Sequence, residues 1–458
     1  MLDLQEAAAA LNATAKGKNV RFSGVSSDTR TLKSGELFVA LKGERYDGCE
    51  FLVQAREKGA VAALVAEPES ANAAATLAAQ GGFPLLVVKE TRKSLGELAA
   101  YWRSRFNMPV VGVTGSNGKT TVKEMLAGIL RKAAGSQQAV LATRGNLNND
   151  IGVPLTLLEM RSQHRYAVIE MGMNHPGEIS YLTSLAKPNV ALVNNVAPAH
   201  LAGLGSLEQA ARAKGEIFEG LSENGVAVIN ADDEYANLWR GLCTGKRVLD
   251  FGLSHPAAVS ARCELRGSGA EIAVRSDAGE MNIILQVPGL HNARNALAAA
   301  TCALALGISS EAISIGLAAF TGVKGRLQRK PGKNGAVVID DTYNANPDSV
   351  RTAIEVLRSE AGKKILVLGD MGELGEQGPA LHMQIGAQAK HAGVDVLYTL
   401  GELSAGATQR FGTGARHFTQ IEVLLAEVEK LLAPGVTVLV KGSRFMHMER
   451  ITERLTLE

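Results

Sequence analysis

At 458 residues the chain is too long for one ordinary core and matches about three domains of roughly 150 residues each. Its 48 Lys+Arg against 46 Asp+Glu leave a net charge of +2, without the concentrated positive charge that nucleic-acid binding needs, so no nucleic-acid partner is expected. Four scattered cysteines, Cys49, Cys243, Cys263 and Cys302, lack metal-ligand spacing; they indicate neither a zinc site nor a disulfide framework and fit a reducing compartment.

The first residues carry no basic lead-in to an apolar stretch, so no signal peptide is expected and the chain is read as cytoplasmic. Up to Val88, short apolar runs such as Leu37-Phe-Val-Ala-Leu and Pro84-Leu-Leu-Val-Val alternate with helical segments, which predicts a small α/β domain over 1–88. A helix over Ser94 to Arg105 leads into a second domain, 89–320. There, apolar runs at Val110 to Val113, Tyr166 to Ile169, Val190 to Val193 and Val226 to Ile229 are each followed by a helical pattern. Unbroken hydrophobicity marks strands covered on both faces, so a mainly parallel sheet is expected, with helices packed on it. From Asp250 the alternation in Glu271 to Val274 and Met281 to Val287 predicts an antiparallel extension, closed by a helix from His291 to Leu306. The apolar run from 296 to 306 is far short of the roughly 20 residues of a membrane span. From 321 to 458 the runs at Ala336, Lys364, Val394 and Val436 predict a C-terminal, doubly wound Rossmann-like domain.

The strongest local pattern is Val110-Val-Gly-Val-Thr-Gly-Ser-Asn-Gly-Lys-Thr-Thr, a buried strand running through a glycine turn into a helix. Gly112, Gly115 and Gly118 are read as permitting the tight loop, whose amides in Thr114 to Thr121 would cradle a triphosphate. Lys119 would neutralise the β- and γ-phosphates and the Thr120 hydroxyl would reach Mg²⁺. The usual spacing puts the first glycine five positions before the last, whereas Gly112 lies six before Gly118.

Other candidates follow apolar strands, the edge where such a loop also lies. Glu170 is a magnesium ligand or base, or else a solvated strand-end charge. His200 is a ligand or a surface histidine. Lys214, in a helical stretch, reads by itself as a solvated charge. Asn292 and Asn295 are three apart on one helical face and either meet a base edge or cap the helix. Turn chemistry accounts for Asp340-Asp-Thr-Tyr-Asn-Ala-Asn-Pro and Gly369-Asp-Met-Gly-Glu-Leu-Gly as well as function does.

Taken together, these segments resemble the Mur ligases of peptidoglycan synthesis, over essentially the whole chain. The resemblance also rests on Ser27-Asp-Thr-Arg, Gly35-Glu-Leu-Phe-Val-Ala-Leu-Lys-Gly, Thr143-Arg-Gly-Asn-Leu-Asn-Asn-Asp and Ala213-Lys-Gly-Glu-Ile-Phe. It implies an enzyme that uses ATP and two Mg²⁺ ions to join D-alanyl-D-alanine to a UDP-N-acetylmuramoyl-tripeptide through an acyl phosphate. The three domains would hold the UDP-sugar peptide, the ATP and the incoming dipeptide in that order, in a monomer. The resemblance makes Lys119, Glu170, His200 and Lys214 catalytic, with Lys214 carbamylated, and gives Thr120, Glu170, His200 and Lys214 to the metal ions. It assigns Thr114, Gly115, Ser116, Asn117, Gly118, Thr121, Asn292, Asn295, Arg326, Asp341, Tyr343, Asn344 and Asn346 to the nucleotide. Ser27, Asp28, Arg30, Asn146, Asn148 and Asn149 would hold the UDP-muramoyl substrate. Cys49 departs from the histidine that relatives often carry there. The alternatives are a Mur-type ligase adding a diamino acid and, from another class, a nucleotide-binding switch without ligation chemistry.

Overall fold

A computed structural model describes residues 1–43, 46–67, 82–197, 206–266 and 269–457, whose strands form three sheets. The first contains β1 (Thr14–Lys16), β2 (Val25–Ser26), β3 (Leu37–Val39), β4 (Ala62–Ala66) and β5 (Leu85–Val88) in the order β1-β5-β4-β3-β2. Only β1 runs antiparallel to its neighbour.

The second sheet contains β6 (Val110–Thr114), β7 (Val140–Ala142), β8 (Tyr166–Glu170), β9 (Val190–Val193), β10 (Val226–Asn230) and β11 (Arg247–Gly252). It continues through β12 (Val259–Arg266), β13 (Gly269–Ser276) and β14 (Gly279–Leu285), in the order β14-β13-β12-β11-β10-β9-β6-β8-β7. Pairing is parallel from β7 to β12 and antiparallel from β12 to β14. Its strands read as continuous apolar runs because alternate residues enter different cores. Val110, Ile169, Val193 and Ile229 pack on one face, and Val111, Val113, Val168, Leu192 and Val228 on the other. Val122, Met125, Leu126, Ile129 and Leu130 of the helix Lys119–Ala134 join the second of these cores.

The third sheet contains β15 (Gln328–Pro331), β16 (Val337–Asp341), β17 (Lys363–Gly369), β18 (Val396–Leu400), β19 (Ala415–Phe418) and β20 (Val436–Lys441), ordered β15-β16-β20-β17-β18-β19. All pairs except β15·β16 are parallel.

The helix expected from Ser94 runs Thr91–Arg103 and ties the first sheet to the second. Leu95, Leu98 and Trp102 enter the core shared by both, the Trp102 indole N–H donates to Met160 O at 3.1 Å, and Arg103 Nε donates to Ala186 O at 2.9 Å. The helix expected to close the second domain runs Leu290–Ala305, and a further helix, Ser310–Ala318, packs Ile313 and Leu317 beside it. The sequence expectation ends at Leu306 and does not include this second helix.

Candidate active site

The carboxyl ends of β6, β8, β9 and β10 and of β16 and β20 look onto one cavity of about 1090 Å³. At its floor the phosphate-loop segment turns with Gly115 at φ +152° and Gly118 at φ +80°, a left-handed position. A Cβ on Gly118 would stand 2.4 Å from Asn295 Oδ1 and 2.7 Å from Asn194 Nδ2, so glycine is required there for space as well as for backbone angle. Gly112 is not part of the turn: it lies inside β6, where a Cβ would meet Ile217 Cδ1 at 3.2 Å. Its place is explained by helix packing on the strand, which also accounts for the irregular spacing.

Two residues not singled out from sequence shape the loop. Asn194 and Asn195, directly after β9, each donate a side-chain N–H to Asn117 O at 3.0 Å, and Asn195 Oδ1 accepts from Asn117 N–H at 2.9 Å. Thr114 Oγ1, below the loop, donates to Met171 O at 2.9 Å, and the Ser116 hydroxyl donates to Ala197 O at 3.2 Å. Lys119 Nζ folds over the turn and donates to Gly115 O at 2.6 Å and Ser116 O at 3.2 Å. Burial lowers its pKa, Glu170 opposes this and the Arg326 charge adds to it.

Thr120 and Glu170 meet beneath the loop. The Thr120 hydroxyl donates to Glu170 Oε2 at 2.9 Å, Asn148 Nδ2 donates to Oε1 at 2.8 Å, and Glu170 N–H donates to Thr143 Oγ1 at 2.9 Å. The hydroxyl and carboxylate oxygens suit a hard dication. Among the described residues no group of three His, Cys, Asp or Glu could hold a metal alone. Lys214 lines the same cavity and is buried; desolvation, with the charge of Lys119 adding to it, lowers its pKa from 10.5 to about 7. His200 lies outside the described residues.

Asn292 and Asn295 both line the cavity. The helix N-cap is Gly289, so neither amide is the cap; Asn292 Nδ2 donates to Pro288 O at 2.8 Å, and Asn295 Oδ1 accepts from Asn194 Nδ2 at 3.0 Å. From the last domain, Arg326 Nη2 donates to Thr120 Oγ1 at 3.0 Å with its guanidinium 4.2 Å from the centre of the Tyr343 ring. Asn346, the side-chain cap of the helix Pro347–Arg358, donates to Asn117 Oδ1 at 3.1 Å. Asp341 is taken up by Lys441 Nζ at 2.6 Å and by Leu327 N–H at 3.1 Å, and Lys441 also donates to Asn344 O at 2.8 Å.

Asn146 and Asn149 line the cavity with Asn148, whereas Ser27, Asp28 and Arg30 do not. Asp28 instead receives Arg30 Nη2 at 2.7 Å and Arg30 Nε at 3.0 Å in the loop after β2.

The family models described as Mur ligase family catalytic domain, Mur ligase middle domain and Mur ligase glutamate ligase domain match residues 21–103, 113–303 and 325–444 in turn. The chain is 42% identical over 449 residues to the UDP-N-acetylmuramoyl-tripeptide–D-alanyl-D-alanine ligase of Escherichia coli, covering 97% of this chain and 96% of that protein. The chain belongs to the Mur ligase family. Among solved Mur ligases, MurF from Acinetobacter baumannii superimposes with a TM-score of 0.88 at 36% identity, over 98% of this chain and 97% of that one. MurF from Thermotoga maritima, solved in complex with ADP, gives 0.80 at 27% identity over 96% and 98%.

Within this Mur ligase the Gly369-Asp-Met-Gly loop has a structural anchor. Asp370 accepts the backbone N–H groups of Glu402, Leu403 and Ser404 at 2.9, 3.2 and 2.8 Å, and buried His382 accepts Met371 N–H at 2.9 Å. Lys441, by contrast, was missed although it directly follows the apolar run 436–440 at the functional edge.

Proposed function

We infer that this chain joins D-alanyl-D-alanine to UDP-N-acetylmuramoyl-tripeptide at the expense of ATP, yielding the pentapeptide precursor of peptidoglycan, ADP and phosphate. The supporting observation is the near full-length identity to the Escherichia coli ligase of that name. The cavity matches the task because the second and last domains both contribute side chains to it.

The tripeptide's terminal carboxylate attacks the γ-phosphorus of ATP and ADP departs, leaving an acyl phosphate. The dipeptide amine then attacks the acyl carbon, loses a proton, and phosphate is expelled. The amides from Gly115 to Thr121 and the Lys119 ammonium would surround the β- and γ-phosphates, and Arg326 would reach the charge that develops on the transferred group. Asn292, Asn295 and the Asp341 to Asn346 loop would face the nucleoside. Ser27, Asp28 and Arg30 would hold the UDP end of the substrate, and Asn146, Asn148 and Asn149 would guide its peptide toward Glu170. Bound Mg²⁺ would neutralise phosphate charge, held by Thr120 and Glu170 at one position and by Glu170, His200 and carbamylated Lys214 at a second. Because acyl phosphates hydrolyse, closing the last domain onto the loop through Arg326 and Asn346 would exclude water. We divide the chain functionally at 1–88, 89–320 and 321–458, and take the enzyme as cytoplasmic and monomeric.

The test compares phosphate release and product mass for UDP-muramoyl-tripeptide with D-alanyl-D-alanine, UDP-muramoyl-dipeptide with a diamino acid, and folate with glutamate. A new amide only in the first mixture is expected. A product in the second would reassign the substrate, and ATP hydrolysis that needs neither acid nor amine would sink ligation altogether.

A further inference from the structure

Lys123 lies one turn beyond Lys119 on the phosphate-loop helix, and its side chain is 1% exposed. A lysine is seldom placed so deep, because stripping water from an ammonium is costly unless the charge is bonded in return. Its Nζ donates to Thr143 O at 2.6 Å and lies 2.8 Å from Glu124 Oε1, a carboxylate that faces solvent. Filling the space would need only an aliphatic side chain, so the polar head is explained by what it holds.

What it holds is Thr143, itself buried, at the point where the chain leaves β7 for the Asn146 to Asn149 loop. Thr143 N–H donates to Val168 O at 3.0 Å and its hydroxyl oxygen accepts Glu170 N–H at 2.9 Å. Glu170 in turn accepts the Thr120 hydroxyl at 2.9 Å, and Thr120 is three residues before Lys123 on the same helix. Lys123, Thr143, Glu170 and Thr120 thus form a closed circuit that fastens the helix to the ends of two strands at two points.

We propose that Lys123 is a positioning residue of the ligation reaction, its buried ammonium fixing the Thr143 carbonyl and, through Thr143, setting the Glu170 carboxylate against the Thr120 hydroxyl. The inference rests on the functional reading above for its effect on turnover, but its geometric content does not depend on which amide is made.

The test uses the full chain with Lys123→Met, which keeps the stem, and Lys123→Gln, which keeps a shorter donor. Removing support of this kind from a metal-binding group costs roughly 10- to 100-fold. A fall of that size in kcat is expected for Lys123→Met with a nearly constant KM for the muramoyl substrate, and a smaller fall for Lys123→Gln. Calorimetry supplies the readout that a merely structural lysine would not move: ADP affinity should weaken in the presence of Mg²⁺ and stay unchanged in its absence. Should Lys123→Met not fold, Thr143→Val breaks the same circuit one bond further on and must show the same magnesium-dependent split. A folded Lys123→Met with wild-type kcat and wild-type ADP binding under both conditions overturns the proposal, as does a Thr143→Val without the split. Wild-type enzyme that makes no amide sinks the functional reading instead, and leaves the ADP measurement to judge this one.

Discussion

Arg326 and Thr120, 206 positions apart, are joined by a hydrogen bond of 3.0 Å that brings the last domain onto the first turn of the phosphate-loop helix. The guanidinium carbon also sits over the Tyr343 ring, 4.2 Å from its centre, a second contact that restrains the side chain. A lysine would keep the charge but lose both the fork and the stacking. Arg326→Ala should therefore lower kcat by about 100-fold or more, and Arg326→Lys should restore only a small part of it. Steady-state phosphate release at saturating ATP decides this; a fully active lysine variant would mean that charge alone suffices.

Gly118 and Gly112 should respond differently to the same added methyl group. At Gly118 an alanine must adopt φ +80°, costing about 1–2 kcal/mol, and its Cβ would collide with Asn295 Oδ1 and Asn194 Nδ2. At Gly112 the obstacle is the tip of the Ile217 side chain, and overpacking of that kind costs about 1–3 kcal/mol of stability. Gly118→Ala is expected to lose most ADP binding, while Gly112→Ala melts earlier but retains it. Calorimetry and a denaturant titration on both proteins separate the two effects.

Asp28 and Arg30 stand apart from the nucleotide cavity and are bonded to each other, with the Arg30 side chain 87% exposed. The hydrogen bond from Arg30 holds the Asp28 carboxyl below its ordinary pKa. A contact to the UDP end of the substrate predicts that Arg30→Ala raises KM for UDP-muramoyl-tripeptide and leaves KM for ATP and the ADP affinity unchanged. A rise in the ATP value instead would remove these residues from the substrate site.

How much of this could be read in advance depended on burial. The central strands of the second and third sheets, such as Val110–Thr114, announced themselves because both faces are covered, as the division of Val110 and Val111 between two cores illustrates. Edge strands such as Gln328–Pro331 carry no apolar run, being half exposed, and were invisible. Glu170 could be suspected because a carboxylate at the end of a buried strand shares the sheet edge with the phosphate loop. Lys214 could not be reached from pattern alone: in Ala211-Arg-Ala-Lys nothing says which cation turns inward. In the structure Arg212 is exposed and paired to Glu208, whereas Lys214 is buried. Asp370 and Asp341 likewise follow similar runs, and only their tertiary partners separate a loop anchor from a cavity residue.

Lys214 is expected to carry the pH dependence of activity. An ordinary lysine is protonated up to about 10.5, but here desolvation, with Lys119 as the neighbouring charge, brings the pKa to about 7. Below that pH the amine is a cation with no free lone pair; above it the neutral amine can attack CO₂, forming a carbamate and releasing one proton. Carbamate formation should therefore rise through about pH 7 and level off within roughly one pH unit, where an unperturbed lysine would still be climbing. Enzyme held in CO₂-free buffer is expected to lose activity and to regain it with bicarbonate, the recovery following that curve. Lys214→Ala should be inactive and partly rescued by a short carboxylate able to occupy the vacated space. Activity indifferent to CO₂ removal, together with an active Lys214→Ala, would show that the buried amine takes no part in binding the second metal ion.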